Sequence, residues 1–217
     1  MPLIAVVDFG MGNLRSVAKA VEHVAGKASV VIATTAAQVD AADRVVFPGQ
    51  GAMPDCMQHL RDSGMADAVR RAAAGKPLLA VCIGEQMLFD ASEETRVPGQ
   101  PTAGLGLFRG TVQRFRDADL RQPDGRRLKV PHMGWNRVHQ LRPHSLWNGV
   151  DDGSWFYFVH SYYAVPLDPE LTASTADYGL TFTCGVARDN IFATQFHPEK
   201  SAAAGLKIYE NFARWNP

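Results

Sequence analysis

The sequence predicts an α/β protein with a mostly parallel open sheet, helices on both faces and an antiparallel extension. Three observations predict it. Short valine- and isoleucine-rich runs alternate with amphipathic stretches through the first half. The second half is richer in candidate strands. No linker, repeat or low-complexity tract divides the 217 residues, so residues 1–217 are expected to form one domain with a real core.

The elements follow in order. "LIAVVDF" (Leu3–Phe9) is a buried strand. From Asn13 to Val24, the residues Leu14, Val17, Ala18, Val21 and Val24 share one helical face. "ASVVIAT" and "RVVFPG" are the second and third strands, and helical segments lie between Met53 and Ala74. "PLLAV" is the fourth strand, and the apolar spacing of "IGEQMLFD" predicts a helix after Cys82. "GTVQRF", "RLKVPHMGW", "SWFYFVHSYYAV", "LTASTADY", "TFTCGVAR" and "IFATQFH" are the later strand candidates. Arg116–Arg127 is a polar hairpin tip with an Asp-Gly turn signal. A last helix spans about Ala202–Arg214, burying Leu206, Ile208, Tyr209 and Phe212.

Composition narrows the function. Lysine plus arginine equals aspartate plus glutamate at 22 each, so charge gives no reason to expect nucleic acid or an acidic membrane as partner. No apolar run approaches a membrane span, and "MPLIAVVDFG" lacks the basic start and cleavage site of a signal peptide. Cys56, Cys82 and Cys184 form neither a disulfide framework nor a zinc signature, which suits a reducing cytoplasm. No Gly-Lys-Ser/Thr phosphate cradle occurs. "DFGMGN" has Arg15 where a dinucleotide fingerprint wants glycine. Neither a cofactor nor a metal is expected.

Ligand sites in open α/β sheets gather at the carboxyl ends of the strands. "DFGMGN", "FPGQGAM", Cys82, "VHSYY" and "QFHPEKS" all fall there. Free cysteines are usually small buried hydrophobes, and Cys56 and Cys184 fit that description. Cys82 differs, because Gly84 follows it at a tight strand-to-helix turn. Such an elbow lifts the sulfur out of the sheet, sets it at a helix N-terminus that favours thiolate, and exposes the N–H of Ile83 as an oxyanion donor. A base is then needed. His23, His59, His139 and His144 belong to polar segments and are expected at the surface, His132 is ambiguous, and His160 and His197 end apolar strands. Pro198 keeps His197 extended, and residues two apart in extended chain share a side. Glu199 therefore reaches the imidazole and completes a triad. The glycines of "PGQG", Gly49 and Gly51 around Gln50, suit a second oxyanion donor; a simple turn is the plain alternative.

"AVCIGEQ", "PGQGAM" and "FHPEKS" resemble the motifs of class I (triad) glutamine amidotransferases. "DFGMGNLRSV", "HMGWN" and "FVHSYY" narrow the resemblance to the glutaminase subunits of imidazole glycerol phosphate synthases, over essentially the whole chain. The resemblance implies a flavodoxin-like sheet and release of ammonia from L-glutamine for a separate (β/α)₈ cyclase subunit in histidine biosynthesis. It implies Cys82 as nucleophile, His197 as base and Glu199 as its orienter. Gly49 and Gly51 match the oxyanion loop and Gln86 a substrate contact, while Ser161 and Tyr162 match the segment holding the amino-acid end. Asn13, Trp135 and Lys200 match positions facing the cyclase. The chain has Ala80 where the class usually has glycine, a change expected to alter packing and not activity. A peptide of "PGQG" that turns its N–H inward only in the liganded complex would keep the isolated subunit off. Three other readings compete: a triad amidotransferase of another synthase, a cysteine hydrolase of γ-glutamyl peptides, and a non-catalytic subunit with a redox-sensing Cys82.

Overall fold

A computed structural model describes residues 1–116, 118, 120, 121 and 125–217. The first half alternates as its periodicity demands. Strand β1 (Leu3–Val7) leads to helix α1 (Leu14–Val24), β2 (Ser29–Ala33), α2 (Ala36–Ala41) and β3 (Arg44–Gly49). Helices α3 (Met53–Asp62) and α4 (Met65–Ala73) precede β4 (Leu78–Cys82) and the single-turn α5 (Ile83–Gln86). Val17, Ala18 and Val21 are the buried face of α1, and each fully buried valine contributes roughly 1.5–3 kcal/mol. The short α2 falls in a stretch without helical apolar spacing. Thr35 and Gln38 start it with a reciprocal capping box, a local signal that periodicity does not register.

Beyond α5 come β5 (Phe89–Ser92), β6 (Thr102–Ala103), β7 (Phe108–Arg114), β8 (His132–Gln140), β9 (Ser154–His160), β10 (Tyr162–Pro166), β11 (Thr172–Asp177), β12 (Thr181–Arg188), β13 (Ile191–Thr194) and helix α6 (Ala202–Arg214). The parallel core has the order β2-β1-β3-β4-β13. The antiparallel extension starts at β12. One edge of β12 carries β11, and through it the β8–β9 ribbon; the other carries β13 and then β10, which continues to β7. Helices α1 and α6 pack on each other, as do α2 and α4. Every residue of β4 is buried, as a strand covered on both faces must be. Among the described residues, no helix is long and apolar enough to cross a membrane.

Four expectations change. The helix predicted through "IGEQMLFD" stops after one turn, and Phe89–Ser92 is strand. The segment Met87–Phe89 is buried on all sides, so its apolar spacing carries no helical face. The candidate strand Ser154–Val165 breaks into β9 and β10 at Ser161. "RLKVPHMGW" becomes strand only at His132. His144 is not a free surface residue: it caps the turn at Leu146, packs at a tilt on Phe192 and meets Trp215 edge-on. Of the expected hairpin tip, Arg121 and Arg127 pair antiparallel, while the Asp124 half of its turn signal lies outside the described residues.

Candidate active site

Cys82 closes β4 with φ 58° and ψ −114°, a backbone that a side chain tolerates only at a cost of order 1–3 kcal/mol. The elbow is packed directly against the end of β3. Gly49 pairs with Cys82, and a Cβ on Gly84 would lie 2.0 Å from the carbonyl oxygen of Phe47. Only glycine fits there. Ala80 sits two residues earlier in regular ladder positions, opposite Phe47 on one side and Ala193 on the other, and is fully buried. With α5 only one turn long, the sulfur gains less from a helix dipole than a long helix would give.

The Gly49–Gly51 loop leaves β3 beside the elbow. Gly51 has φ +114°, where only glycine is comfortable, and its missing Cβ makes room for Met11 of the β1–α1 loop. Gly49 is needed for close approach and not for an unusual φ, since its Cβ would meet Ile83 and Gly84 at 3.0 Å. Cys56 is more than filler: its thiol donates to the Gln50 carbonyl at 3.4 Å. Burial pushes that thiol up to about 12, so it stays protonated and remains a donor.

His197 follows β13, is 3% exposed, and shares a 2.7 Å hydrogen bond through Nδ1 with Glu199 Oε1. The Tyr209 hydroxyl donates to the other carboxylate oxygen at 3.3 Å. The Ser201 hydroxyl pins the His197 carbonyl at 2.6 Å. Burial alone would lower the imidazole, but the Cys82 sulfur and the Glu199 carboxylate outweigh it and raise it to about 10. Nε2 has no partner within hydrogen-bond geometry among the described residues. Glu85, fully buried beside the elbow, is pushed well above the ordinary carboxyl range by burial and by Cys82. Burial and the neighbouring sulfur both disfavour its charged form.

Cys82, Ile83, Gln50, Gly51, Gln86, Ser161, Tyr162 and His197 all line one cavity of about 290 Å³. Four clefts among the described residues are larger, from about 440 to about 750 Å³, but none reaches Cys82. Gln86 is held in one orientation, since its Nε2 donates to the Tyr162 carbonyl at 3.2 Å and to Gln195 Oε1 at 2.8 Å. Its own Oε1 has no partner among the described residues. Trp135, Asn13 and Lys200 do not line the cavity. Trp135 and Asn13 are exposed, and Lys200 lies over the Tyr157 ring at 5.6 Å, with Trp135 edge-on to the same ring at 6.2 Å. A buried thiol on a strained elbow beside a raised, carboxylate-oriented imidazole is the constellation for acyl transfer through a thioester.

The model of the family described as "Glutamine amidotransferase class-I" matches residues 5–215. The chain belongs to the class-I glutamine amidotransferase family. This amidotransferase is 58% identical over 214 residues to the imidazole glycerol phosphate synthase subunit HisH of Dechloromonas aromatica, covering 99% of this chain and 97% of that protein. It is equally 58% identical to the HisH subunit of Aromatoleum aromaticum, covering 99% of each. Among solved structures, PurLQS from Thermotoga maritima superposes with a TM-score of 0.69 over 98% of each chain. A crystal structure of a glutamine amidotransferase gives 0.67 over 98% of this chain and 99% of that one. At 18% identity these two establish the fold alone.

Two residues that motif reading missed stand beside Cys82 and its cavity. Gln195 is fully buried and aims Nε2 at Cys82 Sγ from 3.7 Å. The two-residue extended spacing that links His197 to Glu199 places Gln195 on the same side, so the signal was present. Glu94 lines the cavity and accepts from the Met53 N–H at 2.7 Å. Nothing local marked it, because its loop reaches the site only through the pairing of β5 with β7.

His160 lines the cavity beside Tyr162, and His132 is buried against His160. Burial lowers His132 from its ordinary 6.5 to about 4, and burial together with His132 lowers His160 to about 3. Unfolding exposes both rings, which then bind protons near 6.5, so this pair's contribution is full above about pH 6.5 and is lost as pH falls toward 4 and 3. His197 has the opposite sign: its contribution is full below about pH 6.5 and is lost progressively as pH rises to about 10. Urea midpoints measured against pH should therefore fall on acidification below 6.5, by about 1.4 kcal/mol per pH unit for each neutral ring. A flat profile from pH 7 to 5 would contradict the burial of these rings.

Proposed function

We propose that the chain is the glutaminase subunit of an imidazole glycerol phosphate synthase, delivering ammonia to a separate (β/α)₈ cyclase subunit. The observation that carries the chemistry is the convergence of Cys82, His197 and Gln86 on one small cavity. Identity of 54–58% to HisH subunits along the full chain supports the choice of synthase.

The Cys82 sulfur attacks the side-chain amide of glutamine with the proton already on His197, whose imidazole is raised to about 10. The oxyanion lies between the Ile83 N–H and a donor from Gly49–Gly51. Imidazolium His197 protonates the departing ammonia, and the same ring then activates the water that releases glutamate from the thioester. Glu199 keeps the ring in the right tautomer throughout. Gln86 Oε1, Glu94 and the Ser161–Tyr162 segment offer acceptors and backbone groups for the amino-acid end. The β1–α1 loop carries Asn13 and sets Met11 against Gly51. Contact by a cyclase there would bear on the oxyanion loop, which gives partner control of activity a physical route.

Two experiments test this. A glutamine-analogue electrophile should label Cys82 alone and be blocked by glutamine. The chain, mixed with a cyclase and its nucleotide substrate, should form imidazole glycerol phosphate from glutamine. Labelling spread over Cys56 and Cys184, or ammonia as the sole usable nitrogen donor, would refute the reading. Glu199→Gln keeps an acceptor near His197 but removes the charge that stabilises imidazolium. Steady-state glutaminase kinetics should show kcat lowered about 10²-fold with KM little changed; an unaltered kcat would remove Glu199 from the mechanism.

A further inference from the structure

A buried polar chain joins the exposed β8–β9 ribbon to the cavity. The Asn136 amide, on β8, donates to the Asp177 carbonyl at 2.9 Å while its oxygen accepts from the Arg137 N–H at 2.8 Å, so its orientation is fixed from both ends. The same NH₂ meets His132 Nε2 at 3.3 Å. His132 Nδ1 and His160 Nε2 are 2.9 Å apart, and His160 Nδ1 lies 2.7 Å from the Tyr162 carbonyl. A carbonyl only accepts, so His160 Nδ1 carries the proton. In a neutral ring its Nε2 then accepts, His132 Nδ1 donates, and His132 Nε2 accepts from Asn136. Read from either end, the chain has one polarity.

The rings are not free to turn. They are 3% and 5% exposed. His132 is stacked between Tyr178 and Phe158 at 4.0 and 4.8 Å, and Phe115 and Phe182 each pack 5.3 Å from His160. The Tyr162 carbonyl is also the acceptor that helps orient Gln86, whose remaining acceptor stands in the cavity.

We propose that His132 and His160 are positioning residues of the glutamine site: the one-way chain from Asn136 through both imidazoles fixes the Tyr162 carbonyl and, through it, Gln86. The proposal rests on reading the cavity as the glutamine site. It gives the ribbon that carries Trp135 a wired connection to substrate orientation, 28 residues apart in sequence at the histidine pair.

Two measurements on the full chain test it. Imidazole ¹⁵N spectra at pH 7 should show both rings neutral and protonated at Nδ1; an Nε2–H tautomer at either ring overturns the chain. Labelling by a chloroketone analogue of glutamine gives the functional arm. His160→Phe should raise the half-saturating reagent concentration about fivefold, the effect of one lost hydrogen bond, with the maximal rate within twofold. His160→Asn places an N–H where Nδ1 stood and should restore the wild-type concentration within twofold. Equal shifts in both variants mean that the ring acts by packing, and no shift in either means that it does not position the site; each overturns the proposal. A wild-type chain that the reagent fails to label defeats the glutamine reading itself, a distinct result.

Discussion

Cys82→Ala is expected to lower glutamine hydrolysis by at least ~10⁴-fold while free ammonia still supports product formation by the partner. The magnitude follows from having no substitute nucleophile. Cys56 is buried, holds the Gln50 carbonyl, and is raised to about 12. Cys184 lies fully buried inside β12, with burial raising its thiol further still. Neither thiol ionises near neutrality and neither lines the cavity. Alanine keeps the Cβ, and with it the backbone strain, and removes a buried sulfur that faces Gln195, so the melting temperature should shift only a little. Glutaminase assays with the cyclase present, run in parallel with ammonia-dependent synthesis, make the measurement. Glutaminase activity retained within tenfold would move the nucleophile elsewhere. Loss of both activities would point to a collapsed interface in place of a lost nucleophile.

Much of this site was legible because strand-end placement and extended spacing are local properties. The Val-rich runs fixed β1, β3 and β4, and Gly84 two residues past Cys82 marked the elbow. Pro198 held the chain extended, which was enough to join His197 to Glu199. The failures have a common cause. "IGEQMLFD" misled because full burial erases the difference between a helical face and a buried strand, so Met87, Leu88 and Phe89 satisfy either pattern. Ser161 breaks an apolar run that gives no local reason to break. His132 and His160 meet only through the register of β8 against β9, in which they are directly paired, and pairing register is a long-range property. Glu94 and Gln195 were overlooked for the complementary reason: each is unremarkable in sequence and acquires meaning from what lies across the cavity.

The same close packing that makes the elbow work makes Gly84→Ala a damaging substitution. The added carbon would stand 2.0 Å from the Phe47 oxygen and 3.1 Å from its carbonyl carbon. Both are backbone atoms of β3, so no side chain can swing aside to relieve the contact. Relief requires the end of β3 and the elbow to part by more than an ångström. Overpacking of this kind costs about 1–3 kcal/mol, which for a chain of this size lowers the melting temperature by about 3–10 °C. The catalytic loss should be larger than the stability loss suggests. The end of β3 carries Gly49–Gly51 and the elbow carries Cys82, so the strain would separate the proposed nucleophile from its proposed oxyanion donors, and a misplacement near 1 Å costs about 10²-fold. Gly75→Ala is the control: a Cβ there meets nothing within 4 Å, and melting and activity should both stay near wild type. A Gly84→Ala chain that melts and turns over like wild type would mean that β3 and the elbow are not in contact, and the oxyanion assignment to Gly49–Gly51 would fall with that contact.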